Sequence, residues 1–128
     1  MKWHRAGDAF LNSYVSGELR CESKIEQMLA DELRGPAEKW GYRVIAQYEL
    51  GGFRYDFAIE STRSGKIVAL VECDGQEFHS SREQKIRDAE KTKLAKSSGF
   101  AMFRFTGKEI CASADKLAEE IIFRVWPR

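Results

Sequence analysis

The stretch VALVECDGQEFH, residues 68–79, starts as an apolar strand and ends in acids with a histidine behind them. Strand side chains alternate between faces, so Val68, Leu70, Glu72 and Asp74 share one face while Ala69, Val71 and Cys73 share the other. The run reads as buried, and Glu72 and Asp74 stand side by side at the end of an otherwise apolar face. Like charges on a partly buried surface are costly unless a proton, a basic partner or a metal ion compensates them. Which of the three compensates here is the question the chain poses.

Outward from this strand, short polar connections set the order of elements. Tyr42–Glu49, Phe53–Glu60 and Lys66–Cys73 are strand candidates joined by Gly51-Gly52 and by Ser61–Gly65, which predicts an antiparallel meander. Upstream, Ser23-Lys24-Ile25-Glu26 has a capping-box pattern, with Ile25, Met28, Leu29 and Leu33 at helical spacing and a stop at Gly35-Pro36. A short helical turn, Ala37–Trp40, then ends at Gly41. Downstream, Ser80–Ser98 lacks glycine and proline and predicts a second helix, Phe100–Phe105 a fourth strand, and Lys108–Val125 a final amphipathic helix. A short helix around Asp8–Tyr14 is also expected. A strand that returns through a helical crossover lies parallel to its neighbour, so the pattern implies an α/β domain with a mixed sheet flanked by helices.

With 128 residues the chain suits one domain. Lys and Arg number 21 against 20 Asp and Glu, a balance that neither demands nor excludes a polyanionic partner. The distribution is more telling: Lys85, Arg87, Lys91, Lys93 and Lys96 crowd the second helix, and Lys2, His4 and Arg5 open the chain. That is a candidate phosphate-tracking surface or a solvated helix face. The three cysteines match neither a disulfide framework nor a structural zinc site, which suits a reducing cytoplasm. No stretch is apolar enough to span a membrane and the first residues have no signal-peptide core.

The chemistry-bearing residues form an ordered set. Asp56 lies inside FRYDFAI, where alternation puts Phe53, Tyr55, Phe57 and Ile59 on one face and Arg54, Asp56 and Ala58 on the other. A tight hairpin would bring Asp56 beside Glu72. Glu26 borders the apolar stripe of the first helix, where it can close the capping box with Ser23, join the acids, or do both. His79 follows the acids as a proton carrier suited to neutral pH. Asp88 and Lys91, three apart on the second helix, form a salt bridge or belong to the same set.

In this order, RYDFAI, VALVECDGQEFH, RDAEKTKLAKSSGF and MFRFTGKEI resemble the motifs of the restriction-endonuclease-like PD-(D/E)XK superfamily. They are closest to its very-short-patch-repair-like branch, which includes nuclease domains tied to homing endonucleases with an E-D-x-H-D arrangement. The resemblance covers about residues 22–112, leaving 1–21 as an N-terminal extension. It implies an α-β-β-β-α-β core and a divalent-metal nuclease acting on DNA with Mg2+ or Mn2+. By this resemblance Asp56 and Glu72 are metal ligands with the Cys73 carbonyl, and Glu26 completes the acidic cluster through water. His79 is the general base or its positioner, and Asp88 and Lys91 orient the site and the phosphate. Lys85, Arg87, Lys91 and Lys93 would contact the nucleic acid. The superfamily's lysine two residues after the strand glutamate is Asp74 here, which passes proton handling to His79 or water. The repair enzyme's structural zinc set is missing, so mismatch repair is not inherited.

The expected function is a Mg2+-dependent DNA endonuclease, monomeric or weakly dimeric, which a separate DNA-recognition domain or subunit could guide. The alternatives are a non-catalytic nucleic-acid-binding module on the same fold, and an oligomerising protein that offers Phe123 and Trp126 to a partner. On the metal reading the cation relieves the repulsion between acids, and removing one acid from the metal-free chain is expected to preserve or raise its stability.

Overall fold

The computed structural model describes residues 21–74 and 81–127. The helix expected around Asp8–Tyr14, the basic opening and His79 lie outside the described residues. In chain order the structure contains α1 (Cys21–Trp40), β1 (Tyr42–Leu50), β2 (Phe53–Ser61), β3 (Ile67–Asp74), α2 (Arg82–Ser97), β4 (Ala101–Thr106) and α3 (Gly107–Val125). The strands form one sheet in the order β1-β2-β3-β4, antiparallel through β3 and parallel between β3 and β4. This is the mixed sheet flanked by helices, with a C-terminal helix, that the sequence implies.

Two apolar clusters cover the two faces. Leu29, Leu33 and Ala37 of α1 and Ile110, Ala118 and Ile121 of α3 pack on Val44, Phe57, Ile59, Val71 and Phe103. On the opposite face Ala95 of α2 packs with Tyr55, Ala58 and Leu70. Since Leu70 belongs to the second cluster, Glu72 and Asp74 continue its row towards α2.

Three expectations need correction. First, α1 runs through Gly35-Pro36 without stopping. Proline removes one main-chain donor and normally breaks a helix, but Leu33 and Ala37, on either side of Pro36, are both buried in the main core. Their packing holds the last turn on. Secondly, Ser23 lies within this helix rather than at its start, so the capping-box account of Glu26 does not apply. Thirdly, the alternation in β2 reverses: Phe57 and Ile59 face the main core, whereas Phe53 and Tyr55 face the α2 side with Ala58.

The cause of that reversal is on β1. The ladder pairs Ala46 with Phe57 and Tyr48 with Tyr55, so Gln47 stands across from Asp56. Its φ of 55° puts it in the left-handed region, alone among described non-glycine residues. One left-handed residue rotates the chain, and Tyr48 and Leu50 accordingly join the α2 side although Val44 and Ala46 face the main core. The hairpin then closes at Gly51-Gly52, whose φ values of 57° and 84° meet the demand of a tight turn for two left-handed residues.

At the other edge, Thr106 accepts from the Glu109 main chain while Glu109 caps Thr106 in return, starting α3 beside the end of β3. The helix kinks at Ser113. At its far end the Tyr42 hydroxyl donates to the Val125 carbonyl and Trp126 packs edge-on against Trp40. No helix among the described residues is long and apolar enough to cross a membrane.

Candidate active site

The carboxyl end of β3 is where the predicted acids meet. Asp56 and Glu72, on neighbouring strands, are each tied to the main chain of the other's strand. The Asp56 N–H donates to Glu72 Oε1 at 3.0 Å and the Cys73 N–H donates to Asp56 Oδ2 at 2.7 Å. Each carboxylate therefore replaces a missing ladder bond, which fixes both side chains at the edge of the hairpin.

Lys91 comes to the same point from α2. Its ammonium donates to Glu72 Oε2 at 2.6 Å and to the Arg54 carbonyl at 2.8 Å, and lies 4.8 Å from the centre of the Tyr55 ring. Lys91 and Glu72 are each only 8% exposed. The Tyr55 hydroxyl completes the support by donating to the Lys91 carbonyl at 2.9 Å. The i,i+3 salt bridge with Asp88 does not form, because Lys91 turns inwards to Glu72.

Asp88 and Asp74 instead flank Arg104, whose Nη1 stands 3.7 and 3.6 Å from them. Arg104 Nη2 donates to the Asp88 carbonyl at 3.0 Å, joining β4 to α2. Sequence reasoning missed Arg104 and Tyr55. The signal for Arg104 was a lone cation among the apolar residues of MFRFT, and the parallel register sets it directly across from Glu72. Tyr55 was hidden by the reversal at Asp56.

Basic partners thus oppose the acidic charge, Lys91 at Glu72 and Arg104 at Asp74. Removing Glu72 alone would leave the buried Lys91 ammonium without its carboxylate, an effect opposed to the preserved or raised metal-free stability expected on the repulsion argument.

Compensation is incomplete. Burial, then the charge of Asp56, hold the Glu72 carboxyl above the ordinary carboxylate range, although Lys91 and the Asp56 N–H oppose them. Asp74 is also raised, chiefly by burial, with Arg104 pulling the other way and Asp88 and Asp56 adding to the rise. The Cys73 thiol is pushed far up by burial and then by Asp56, Glu26, Glu72 and Asp74. All four acids thus raise the one thiol, Glu26 of α1 among them. Lys85, Arg87 and Lys93 are exposed on α2.

Among the described residues no three His, Cys, Asp or Glu side chains form a ready-made metal site. In kind, however, Asp56 and Glu72 fit a hard divalent cation: they are oxygen donors, and each oxygen keeps a lone pair beyond that used by its N–H donor. The Cys73 carbonyl is a donor of the same kind, whereas its thiol, held protonated, is not.

A family model, REase_MTES_1575, matches residues 26–125. No curated protein and no solved structure matches the chain.

Proposed function

Because the chain belongs to this restriction-endonuclease-like family, we propose that it is a divalent-metal-dependent endonuclease that hydrolyses DNA phosphodiester bonds. The observation that carries the reading is the Asp56–Glu72–Lys91 cluster at the carboxyl end of β3, with two carboxylates cross-tied and one buried ammonium between strand and helix. The order of motifs supports the very-short-patch-repair-like branch within the family.

Asp56 and Glu72 would hold Mg2+ or Mn2+ with the Cys73 carbonyl, and Glu26 would act through water. A bound divalent cation lowers the pKa of water and offsets charge developing on the phosphate and the leaving oxygen. The chain supplies the rest. Lys91 opposes the rise in the Glu72 pKa and orients the carboxylate, and would bring positive charge towards the reacting phosphate. Arg104 bridges Asp74 and Asp88 and anchors α2. His79 takes the proton of the attacking water as the water oxygen bonds to phosphorus; the leaving oxygen departs with the electrons of the broken P–O bond and is protonated from solvent.

Nicking of supercoiled plasmid with Mg2+, Mn2+ or EDTA tests this reading. The wild type is expected to cut only with metal, Asp56→Asn to lose cutting while still binding DNA, and His79→Ala to fall by about 100-fold with binding intact. Metal-independent cutting, or full activity in Asp56→Asn, would refute it. A chain that binds DNA and never cuts it would be the non-catalytic module.

A further inference from the structure

Beyond the acidic site, α2 and β4 border a shallow, open shelf lined by Asp88, Thr92, Lys93, Lys96, Ser97 and Arg104 with Ala89. Three cations and two hydroxyls face a single carboxylate there. Lys93 and Lys96 are exposed, and no ion pair among the described residues reaches either. Arg104 links the shelf to the acids, since its guanidinium stands between Asp74 and Asp88. Its Nη1 is buried without a hydrogen bond, and Thr92 accepts from its other nitrogens only at 3.4 Å. Arg104 is thus held between two carboxylates, and the exposed ammonium groups of Lys93 and Lys96 are the cations left to take phosphate oxygens.

The shelf also has the right length and position. From Asp88 to Lys96 the helix rises about 12 Å, several steps of a DNA strand at about 3.4 Å each. It begins at the Asp74–Arg104 contact and leads away from the cluster of Asp56 and Glu72. We propose that this shelf is a second subsite, for backbone phosphates flanking the one that is cut. Resting on the nuclease reading, it assigns the DNA track to Lys93 and Lys96 with the Thr92 and Ser97 hydroxyls, and leaves Arg104 as the post that joins the shelf to the acids. Lys91 takes no part in the track, its ammonium being committed to Glu72 and the Arg54 carbonyl.

The test compares Lys93→Gln/Lys96→Gln with Lys66→Gln/Lys116→Gln, which removes the same charge at exposed positions elsewhere. Binding of a short DNA duplex in EDTA is measured from about 50 to about 200 mM salt, and the slope of log affinity against log salt is read. The shelf variant is expected to lose about two units of slope, roughly 0.9 for each lost phosphate contact, and the control none. With Mg2+ the shelf variant should nick plasmid with raised KM and unchanged kcat, because the acids are intact. Equal slopes in the two variants, with a wild type that binds and cuts, would overturn the shelf alone. A wild type that neither binds duplex nor cuts plasmid would overturn the nuclease reading and the shelf with it.

Discussion

Glu72 spends both carboxylate oxygens within the fold, one on the Asp56 N–H and one on the Lys91 ammonium. A buried pair of this sort contributes little net stability when complete, since desolvation offsets attraction, but breaking it leaves an uncompensated charge. Glu72→Gln and Lys91→Met should each destabilise the metal-free protein by about 3 kcal/mol. The double variant should lose clearly less than the sum, because neither charge is then stranded. Urea denaturation of the four proteins in EDTA checks this; additive losses would mean that the two side chains do not depend on each other. The acid itself was legible in VALVECD, where a carboxylate ends an apolar face. Its partner was not, because Lys91 lies 19 residues away and reads equally well as one more solvated lysine on a charged helix.

At the scale of elements, the β1–β2 hairpin does more than carry Asp56. Gln47 opposes it in a conformation that side chains resist, and the faces of both strands reverse there. A left-handed residue costs about 1–2 kcal/mol relative to its ordinary conformation, whereas glycine avoids that cost and gives back about 0.5–1 kcal/mol through chain entropy. Gln47→Gly should therefore match the wild type or exceed it slightly in urea, and Gln47→Val should cost more than about 1 kcal/mol, its branched side chain tolerating a positive φ poorly. Equal stability of the two variants would show that the reversal needs no left-handed residue. Period-two reading identified both strands and their antiparallel pairing, yet placed Tyr55 on the wrong face, since alternation cannot register a single rotated residue. The run through Pro36 has the same origin: local preference says stop, and the packing of Leu33 and Ala37 decides otherwise.

For the whole molecule, the acids at the end of β3 set a pH dependence. Glu72 and Asp74 both titrate above their unfolded-chain values of 4.5 and 3.8. Between each unfolded value and its higher folded one, the native chain holds more protons than the unfolded chain, so this contribution to stability falls as pH rises through the window and then levels off. In EDTA, the stability of the wild type relative to Asp74→Asn should accordingly fall as pH rises through the region just above 3.8. Thermal melts across pH measure it, and superimposable profiles would mean that Asp74 does not titrate differently in the folded chain.

By itself the sequence determined the α-β-β-β-α-β-α order, the meander, the parallel return of β4 and the acids Asp56, Glu72 and Asp74 at one end of the sheet. These follow from periodicity, turn residues and crossover handedness, which depend on near neighbours along the chain. Only the tertiary structure decided what opposes the acids. Lys91 reaches Glu72 because α2 packs Ala95 over Tyr55 and Leu70, and Arg104 reaches Asp74 because the parallel register sets it across from Glu72. Both contacts join elements distant in sequence, and burial is what makes them matter: at the surface, solvent would screen the same charges and no partner would be required.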